Sequence, residues 1–549
     1  MSEWAHPAWP YLAGALLALA LPARARPALL VAPALALALA WSLPDGTALT
    51  ARVMGLELLW VRVDALARLF AIVFALIGGL AALYAGSAGS RRVHVAGLVA
   101  TGGGLVIVLA GDWITLYAGW ETLAVASFAL ITDGGTPRAW RAAYRYLLVH
   151  FAGGALLLAG IAWHLATGGA GLVEALPPGG VRIAFLAALA INAAIPPVHA
   201  WLTDAYPESS PAGAVFLSAF ATKAAVYTLA RAFPGWEPLV WVGVIMALYG
   251  VVFAVLENDI RRLLGYHIVS QVGYMVAGVG LGTPLALSGT AAHAFAHILY
   301  KGLLLMGAGA VVHATGGRKL TELGGLARVM PATLALYMIG AFSISGAPLL
   351  NGFVSKSLIV AAADAEGRTG VAALLMLASV GTFLHTGLKL PWFTFAGTGH
   401  RPPVRPVPRS MLAAMTLTAA LCALTGVLPS LLYRLLPFPV TVEPYTAAHV
   451  LESLQLLAGT ALAFVLLQRQ LGGEPTVTLD TDRVWRAAGR WVGERLAPAV
   501  ATAAVALEAA AGALVDLRVG PTPRASGRPI GYAVLLAVAV VGIALLVLR

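Results

Sequence analysis

The sequence predicts an all-α, polytopic membrane protein, and three observations carry that reading. Of 549 residues, 60% are hydrophobic and only 11% charged, against about a quarter charged in a soluble domain. Most of this surface therefore cannot face water. Apolar runs of roughly 17 to 25 residues, the length that crosses a bilayer as helix, recur from end to end. No ten-residue alternation of the barrel-strand kind competes with them, and helices satisfy every backbone group inside lipid, as a spanning segment must.

Taken in order, the runs give about sixteen spans: 8–22, 27–43, 63–85, 93–110, 113–131, 143–165, 182–203, 212–232, 238–256, 263–281, 287–312, 332–361, 371–397, 410–430, 447–467 and 530–548. The first is short. Basic residues test the order. Connections after odd-numbered spans hold Arg24 and Arg26, Arg91 and Arg92, Arg138 and Arg141, Arg261 and Arg262, then Arg318, Lys319 and Arg328, then Arg401, Arg405 and Arg409. Even-numbered connections are poorer, although the second holds Arg52 and Arg62. The excess of positive charge puts the odd connections in the cytoplasm and both termini on the other side of a bacterial cytoplasmic membrane. The amino terminus lacks a basic stretch before its first apolar run, so no cleaved signal peptide is expected.

Between the last two spans, 471–529 differs in kind. Arg483, Arg486, Arg490, Glu494 and Arg495 alternate there with Trp485, Trp491, Val492 and Leu496, the mixture of an amphipathic helix lying along the cytoplasmic interface. A solvated linker helix is the plainer alternative. The Pro-rich stretch 401–408 reads as a connection, and no soluble domain is expected.

The net charge of +11 sits in short connections between apolar runs, so it is no nucleic-acid signature. The single cysteine, Cys422, excludes a disulfide framework and any cysteine-ligated iron–sulfur cluster built by this chain alone.

Ionisable groups inside spans are costly and point to function. Glu121 falls in the middle of span 5 and Lys223 in span 8. Span 11 carries His293, His297 and Lys301 at i, i+4 and i+8, on one face. Lys356 ends NGFVSK in span 12, and His385 and Lys389 share a face of span 13. Each has a plainer reading. A buried histidine packs, Lys389 snorkels to the interface, and Glu121 serves as a structural ion-pair partner. Together they make an expensive fold without a use, whereas alternating carboxylate, lysine and histidine sites suit a proton relay. A lysine taken out of water also gives up its proton more readily.

Two spans look interrupted. Span 7 reads INAAIPPVHAWLTDAYPE with Pro196 and Pro197 at its middle, and span 12 reads SISGAPLLNGFVSK with Gly346, Pro348 and Gly352. Proline removes a donor and clashes with the preceding turn, so both helices should break. Breaks at matching points of two halves suggest a transporter with internal repeats. Lys223 follows one break and Lys389 the other. Spans 4–8 and 9–13 are then the two units, inverted because each has five spans. The organisation expected is 1–111 for spans 1–4, 112–235 for spans 5–8 of the first repeat (with span 4 before them), 236–400 for the second repeat, 401–470 for spans 14 and 15, 471–529 for the lateral segment and 530–549 for the last span.

These motifs together resemble the antiporter-like subunits of respiratory complex I and of Mrp-type multisubunit cation/proton antiporters. The carriers are GDWITLYAGWE, IPPVHAWLTDAYPESSPAGAV, ENDIRRLLGYHIVSQVGYM, HAFAHILYKGLLLMGAGAVVH and GAPLLNGFVSKSLI, in family order from about 112 to 395. The later LDTDRVWR looks like the tail of the D-type member of Mrp antiporters, while the lateral segment and final span look like the tail of the largest complex I antiporter-like subunit. The resemblance implies two inverted five-helix repeats, each with a half-channel, joined by a polar axis. By position, Glu121 matches the glutamate that pairs with a lysine of helix 7, Lys223 the helix 8 lysine, His293 and His297 the relay histidines and Lys356 the terminal site. One position departs. The helix 7 lysine lies seven residues before the histidine of PxHxW, and counting back from His199 reaches Asn192, which can neither hold a proton near neutrality nor pair with Glu121. Glu121 then has another partner, Lys223 works alone, or this half-channel is weakened.

Three functions stay open on the sequence: a proton-moving subunit of an Mrp-type Na⁺(K⁺)/H⁺ antiporter, a pumping subunit of a redox-driven NADH:quinone oxidoreductase or membrane hydrogenase, and a membrane scaffold of an inorganic-carbon uptake complex. The first two imply partner membrane subunits, the third a soluble catalytic partner coupled to the membrane, and none implies a cofactor on this chain. There is no phosphate loop, no nucleophile motif and no third ligand beside His293 and His297, so neither catalysis nor a metal is expected here.

Overall fold

The computed structural model describes residues 6–53, 55–396 and 404–472, with isolated residues between 474 and 502. Two compact units divide it, Met1–Thr478 and Leu479–Arg549. In the second, a turn is visible in which the Arg483 N–H donates to Asp480 O at 3.1 Å. The expected lateral helix and final span lie outside the described residues.

The first unit is almost wholly helical. Its spans are α1 (Ala8–Ala20), α2 (Val31–Ser42), α3 (Ala65–Ala85), α4 (Arg91–Leu109), α5 (Trp113–Thr132), α6 (Pro137–Ala166), α7 (Gly180–Asn192) with α8 (Ala200–Ala205), α9 (Pro211–Ala219) with α10 (Ala221–Ala232), α11 (Pro238–Leu256), α12 (Ile260–Leu281), α13 (Pro284–Thr315), α14 (Pro331–Ser345) with α15 (Asn351–Ala365), α16 (Thr369–Thr382) running into π-helical turns to Ala396, α17 (Arg409–Val427), a short α18 (Ser430–Tyr433) and α19 (Ala447–Leu467). Among the described residues eleven helices are long and apolar enough to cross a membrane, and the chain is a multi-pass membrane protein.

Ends of these helices follow local chemistry. Asp112 caps α5 by accepting from Thr115 N at 2.7 Å, and Thr136 followed by Pro137 opens α6. Asp259 starts α12 and left-handed Gly282 ends it. Such side-chain acceptors satisfy amide groups that the first turn leaves bare. α13, 32 residues long, is the buried centre, against which α3, α9, α12, α14, α15 and α17 pack.

Two features depart from the sequence reading. The connection before α3 is an antiparallel hairpin, β1 (Ala48–Val53) and β2 (Leu56–Arg62), paired from Ala48 opposite Arg62 to Val53 opposite Leu56 with a register shift between Leu49 and Thr50. Span 8 is also interrupted: α9 stops at Ala219, Phe220 sits at φ −104° and ψ −63°, and α10 starts at Ala221.

Candidate functional site

Span 7 breaks as its prolines require. After Asn192 the chain leaves the helix, with Ala194 at φ 55°, and resumes at Ala200 beyond Pro196 and Pro197. Span 12 breaks in the same manner, through left-handed Gly346, Pro348 and Leu349 at φ 71°. Positive φ in a non-glycine residue costs about 1–2 kcal/mol, and both instances among the described residues fall at these breaks. Gly352 allows the second break to close: a Cβ there would lie 1.7 Å from Ser343 O.

An interrupted helix leaves carbonyl groups without amide partners, and buried lysines take them. Lys223 donates to Ser218 O at 2.8 Å, across the Phe220 interruption. Lys356 donates to Ile344 O at 2.8 Å, at the broken end of α14, and to Ser379 Oγ at 3.2 Å. Lys389 donates to Val255 O and to Glu257 O, at the end of α11; it is 1% exposed. Lys389 is thus buried, with its ammonium held by backbone carbonyls at the end of α11.

Between these lysines runs a row of buried histidines. His293 and His297 of α13 lie with ring centroids 6.2 Å apart. His293 Nδ1 is 3.4 Å from Ser355 Oγ on α15, and its ring is 5.7 Å from that of Tyr274 on α12. Lys356 Nζ stands 5.2 Å over the same Tyr274 ring, a cation–π distance. Lys223 stands on α10, which packs against α13, and is fully buried like both histidines. A branch leaves the row through His267 on α12, a helix packed against α13, whose ring is 4.8 Å from that of His385. His385 and Lys389 occupy the π-helical turn Phe383–Lys389, a geometry frequent at functional sites. Both nitrogens of His267 and of His297, and Nζ of Lys301, are buried without a hydrogen-bond partner among the described residues.

Glu121 stands apart from this row. Its Oε1 is buried without a partner and lies over Gly154 of α6, where a Cβ would come within 1.9 Å of it. Asn192 lies beside Gly153, on the same helix. At the other end, a cavity of about 810 Å³ opens beside Lys356, with Asp364, Glu443, His449 and Glu452 in its wall.

The structure thus gathers Lys223, His293, His297, Lys301 and Lys356 into one axis, leads Lys389 off on a branch and leaves Glu121 in a separate compartment. Sequence reasoning missed His267, His150 and Tyr274. His267 is a single histidine within span 10, the kind of signal that found Lys223, whereas His150 shares its span with Arg145 and His164.

A family model described as "NADH:quinone oxidoreductase/Mrp antiporter, TM" matches residues 110–384. The N-type component of NADH-quinone oxidoreductase from Desulforudis audaxviator is 33% identical over 360 residues, 60% of this chain and 71% of that protein. The D-type component of the Na(+)/H(+) antiporter from Alkalihalophilus pseudofirmus is 31% identical over 310 residues, 53% of this chain and 62% of that protein. Among solved structures, a chain of the Mrp complex from Dietzia sp. superposes with a TM-score of 0.71 at 25% identity, over 85% of this chain and 100% of that one.

Proposed function

We propose that this chain, which belongs to the NADH:quinone oxidoreductase/Mrp antiporter family of membrane subunits, translocates protons within a multisubunit complex of the Mrp type, in the place of its D-type component. The carrying observation is the buried row Lys223, His297, His293, Lys356, whose lysines are held by backbone carbonyls. A hydrogen bond from an ammonium to a carbonyl contributes about 1.5–3 kcal/mol, whereas breaking a buried ion pair costs roughly 3–5 kcal/mol. A lysine held this way can change its protonation state without leaving a carboxylate stranded. The adjacent histidines accept and pass a proton, and their orphaned nitrogens are points where water can join the chain.

The basic odd-numbered connections support a cytoplasmic-membrane location with both termini outside. Lys389 and Glu257 then lie at the cytoplasmic side, where a proton enters the branch. The acid-walled cavity beside Lys356 lies at the opposite side, where it leaves. Asp364, Glu443 and Glu452 raise the local cation concentration there, which supports exchange against Na⁺ or K⁺ over a redox-driven pump. The paired breaks of spans 7 and 12 support the two repeats, spans 4–8 and 9–13. Other membrane subunits supply the rest of the complex, as they do in the Mrp complex from Dietzia sp..

The test is transport by the purified complex in vesicles. Lys223→Ala and Lys356→Ala should each abolish ion-coupled proton movement with assembly intact. Wild-type transport by either variant defeats the relay.

A further inference from the structure

We infer that His150 is the protonatable group linking Glu121 to Lys223, an assignment that rests on the proton-translocating reading above. His150 sits in the middle of α6 and is 1% exposed. It borders a narrow gap whose walls also include Trp120, Leu123, Tyr146, Asn192 and Ala224. Trp120 adjoins Glu121 in the chain and Ala224 adjoins Lys223, so the gap lies between the helices that carry these two groups. Of its lining residues, His150 alone carries an imidazole, a group that can both accept and release a proton.

The hydrogen bonds fix which nitrogen is available. His150 Nδ1 is 3.0 Å from Tyr146 O. A carbonyl can only accept, so Nδ1 carries the hydrogen and Nε2 of the neutral ring keeps its lone pair. That Nε2 is buried without a partner among the described residues, as are Glu121 Oε1 and Asn192 Nδ2. Three orphaned polar atoms therefore converge from α5, α6 and α7. Each such burial costs about 1–3 kcal/mol, and packing alone gives no reason to gather them.

The backbone of α6 brings the three together. His150 and Gly154 are four residues apart and so share a helix face. The bare face at Gly154 admits the Glu121 carboxylate, and Gly153 lies against Asn192. The imidazole is held in place by stacking on Tyr146 at 3.8 Å and by the edge of Trp201 at 4.5 Å. A base with a fixed ring and an open lone pair, one turn from a carboxylate, can take a proton from Glu121 and release it toward α10. Asn192 can orient that transfer but cannot hold the proton.

The experiment compares four forms of the complex in reconstituted vesicles: wild type, Lys223→Ala, His150→Gln, and His150→Gln combined with Asn192→Lys. His150→Gln should lower proton transport at least tenfold without changing assembly, and the added amine at 192, facing the same gap from α7, should restore at least half of it. Wild-type transport by His150→Gln beside a dead Lys223→Ala overturns the role of His150 and leaves the wider reading standing. Loss in His150→Gln that the amine at 192 does not restore also overturns it, assigning His150 to packing. Full transport by both single variants defeats the relay itself.

Discussion

Gly154→Ala separates the position of Glu121 from the stability of the fold. The added Cβ would stand 1.9 Å from Glu121 Oε1 and 3.0 Å from its Cδ, with no backbone atom among its nearest contacts. Ordinary van der Waals contact begins near 3.4 Å, so the carboxylate must retreat by about 1.5 Å, where a misplacement of about 1 Å can cost roughly a hundredfold in a positioned reaction. The tip of a glutamate swings at a cost of about 0.5–1.5 kcal/mol, and alanine regains about 1 kcal/mol of helix propensity over glycine. The two nearly cancel. The complex should therefore assemble with an unfolding midpoint close to wild type, while dye-monitored proton uptake in vesicles falls ten- to a hundredfold. Undiminished transport by Gly154→Ala would mean that the carboxylate's placement is immaterial, and failure to assemble would mean that α6 has no slack at this point.

Gly352→Ala should behave in the opposite way. Its Cβ would meet Ser343 O at 1.7 Å and Ser343 C at 2.6 Å, backbone that cannot swing aside, so the break must open at a cost above roughly 3 kcal/mol; a wild-type melting midpoint would contradict this. At the start of α3, burial alone would push the Asp64 carboxyl up, but its bonds to Arg231 at 2.6 and 2.5 Å outweigh that and hold it below the ordinary range. Because the folded value lies below the unfolded one, the stabilisation is present above about pH 4 and is lost as pH falls through the lower folded value. Asp64→Asn should keep the cap on Ala67 N and flatten the acid limb of stability, whereas Asp64→Ala should also lose about 1 kcal/mol of capping. Identical acid limbs for wild type and Asp64→Asn, measured as melting midpoints from neutral pH downward, would rule this out.

Most of the architecture was legible because twenty apolar residues have few other uses, and because Pro196–Pro197 and Gly346-x-Pro348 announce their breaks. What stayed hidden has physical causes. In β2, Leu58, Leu59, Trp60 and Val61 are consecutively apolar, and a register irregularity at Leu49 and Thr50 spoils the period of β1, so no alternation showed. The Phe220 interruption has no proline or glycine beside it. It goes with a side-chain contact inside the span, in which the Lys223 ammonium takes the Ser218 carbonyl that a regular helix would bond to residue 222. The carbonyls that hold Lys389 belong to the end of α11, 132 residues or more earlier in the chain, so no local pattern could announce them. His150 escaped notice because α6 also carries Arg138, Arg141, Arg145 and His164, so that one more polar residue there reads as packing or as helix-end charge; only its orphaned Nε2 argues otherwise.

The lysine contacts also bear on why the axis tolerates so much buried charge. An isolated ammonium in a dry interior costs on the order of several kcal/mol, and a carboxylate partner would offset that while trapping the proton. Carbonyls at interrupted helix ends carry partial negative charge from the helix dipole, on the order of half an elementary charge in total. They favour the ammonium without demanding it, since a carbonyl orphaned by a neutral lysine loses one hydrogen bond and no ion. The interruptions at Phe220 and at Gly346–Leu349 thus serve one purpose, placing a carbonyl at Lys223 and at Lys356. Lys389 obtains the same arrangement from the natural end of α11. Lys301 has no such carbonyl, and its Nζ is buried without a partner among the described residues, so of the four lysines it has the least to hold a charge. In the proposed relay it is accordingly the lysine best suited to remain neutral between transfers, at the junction where the branch through His267 and His385 meets the row.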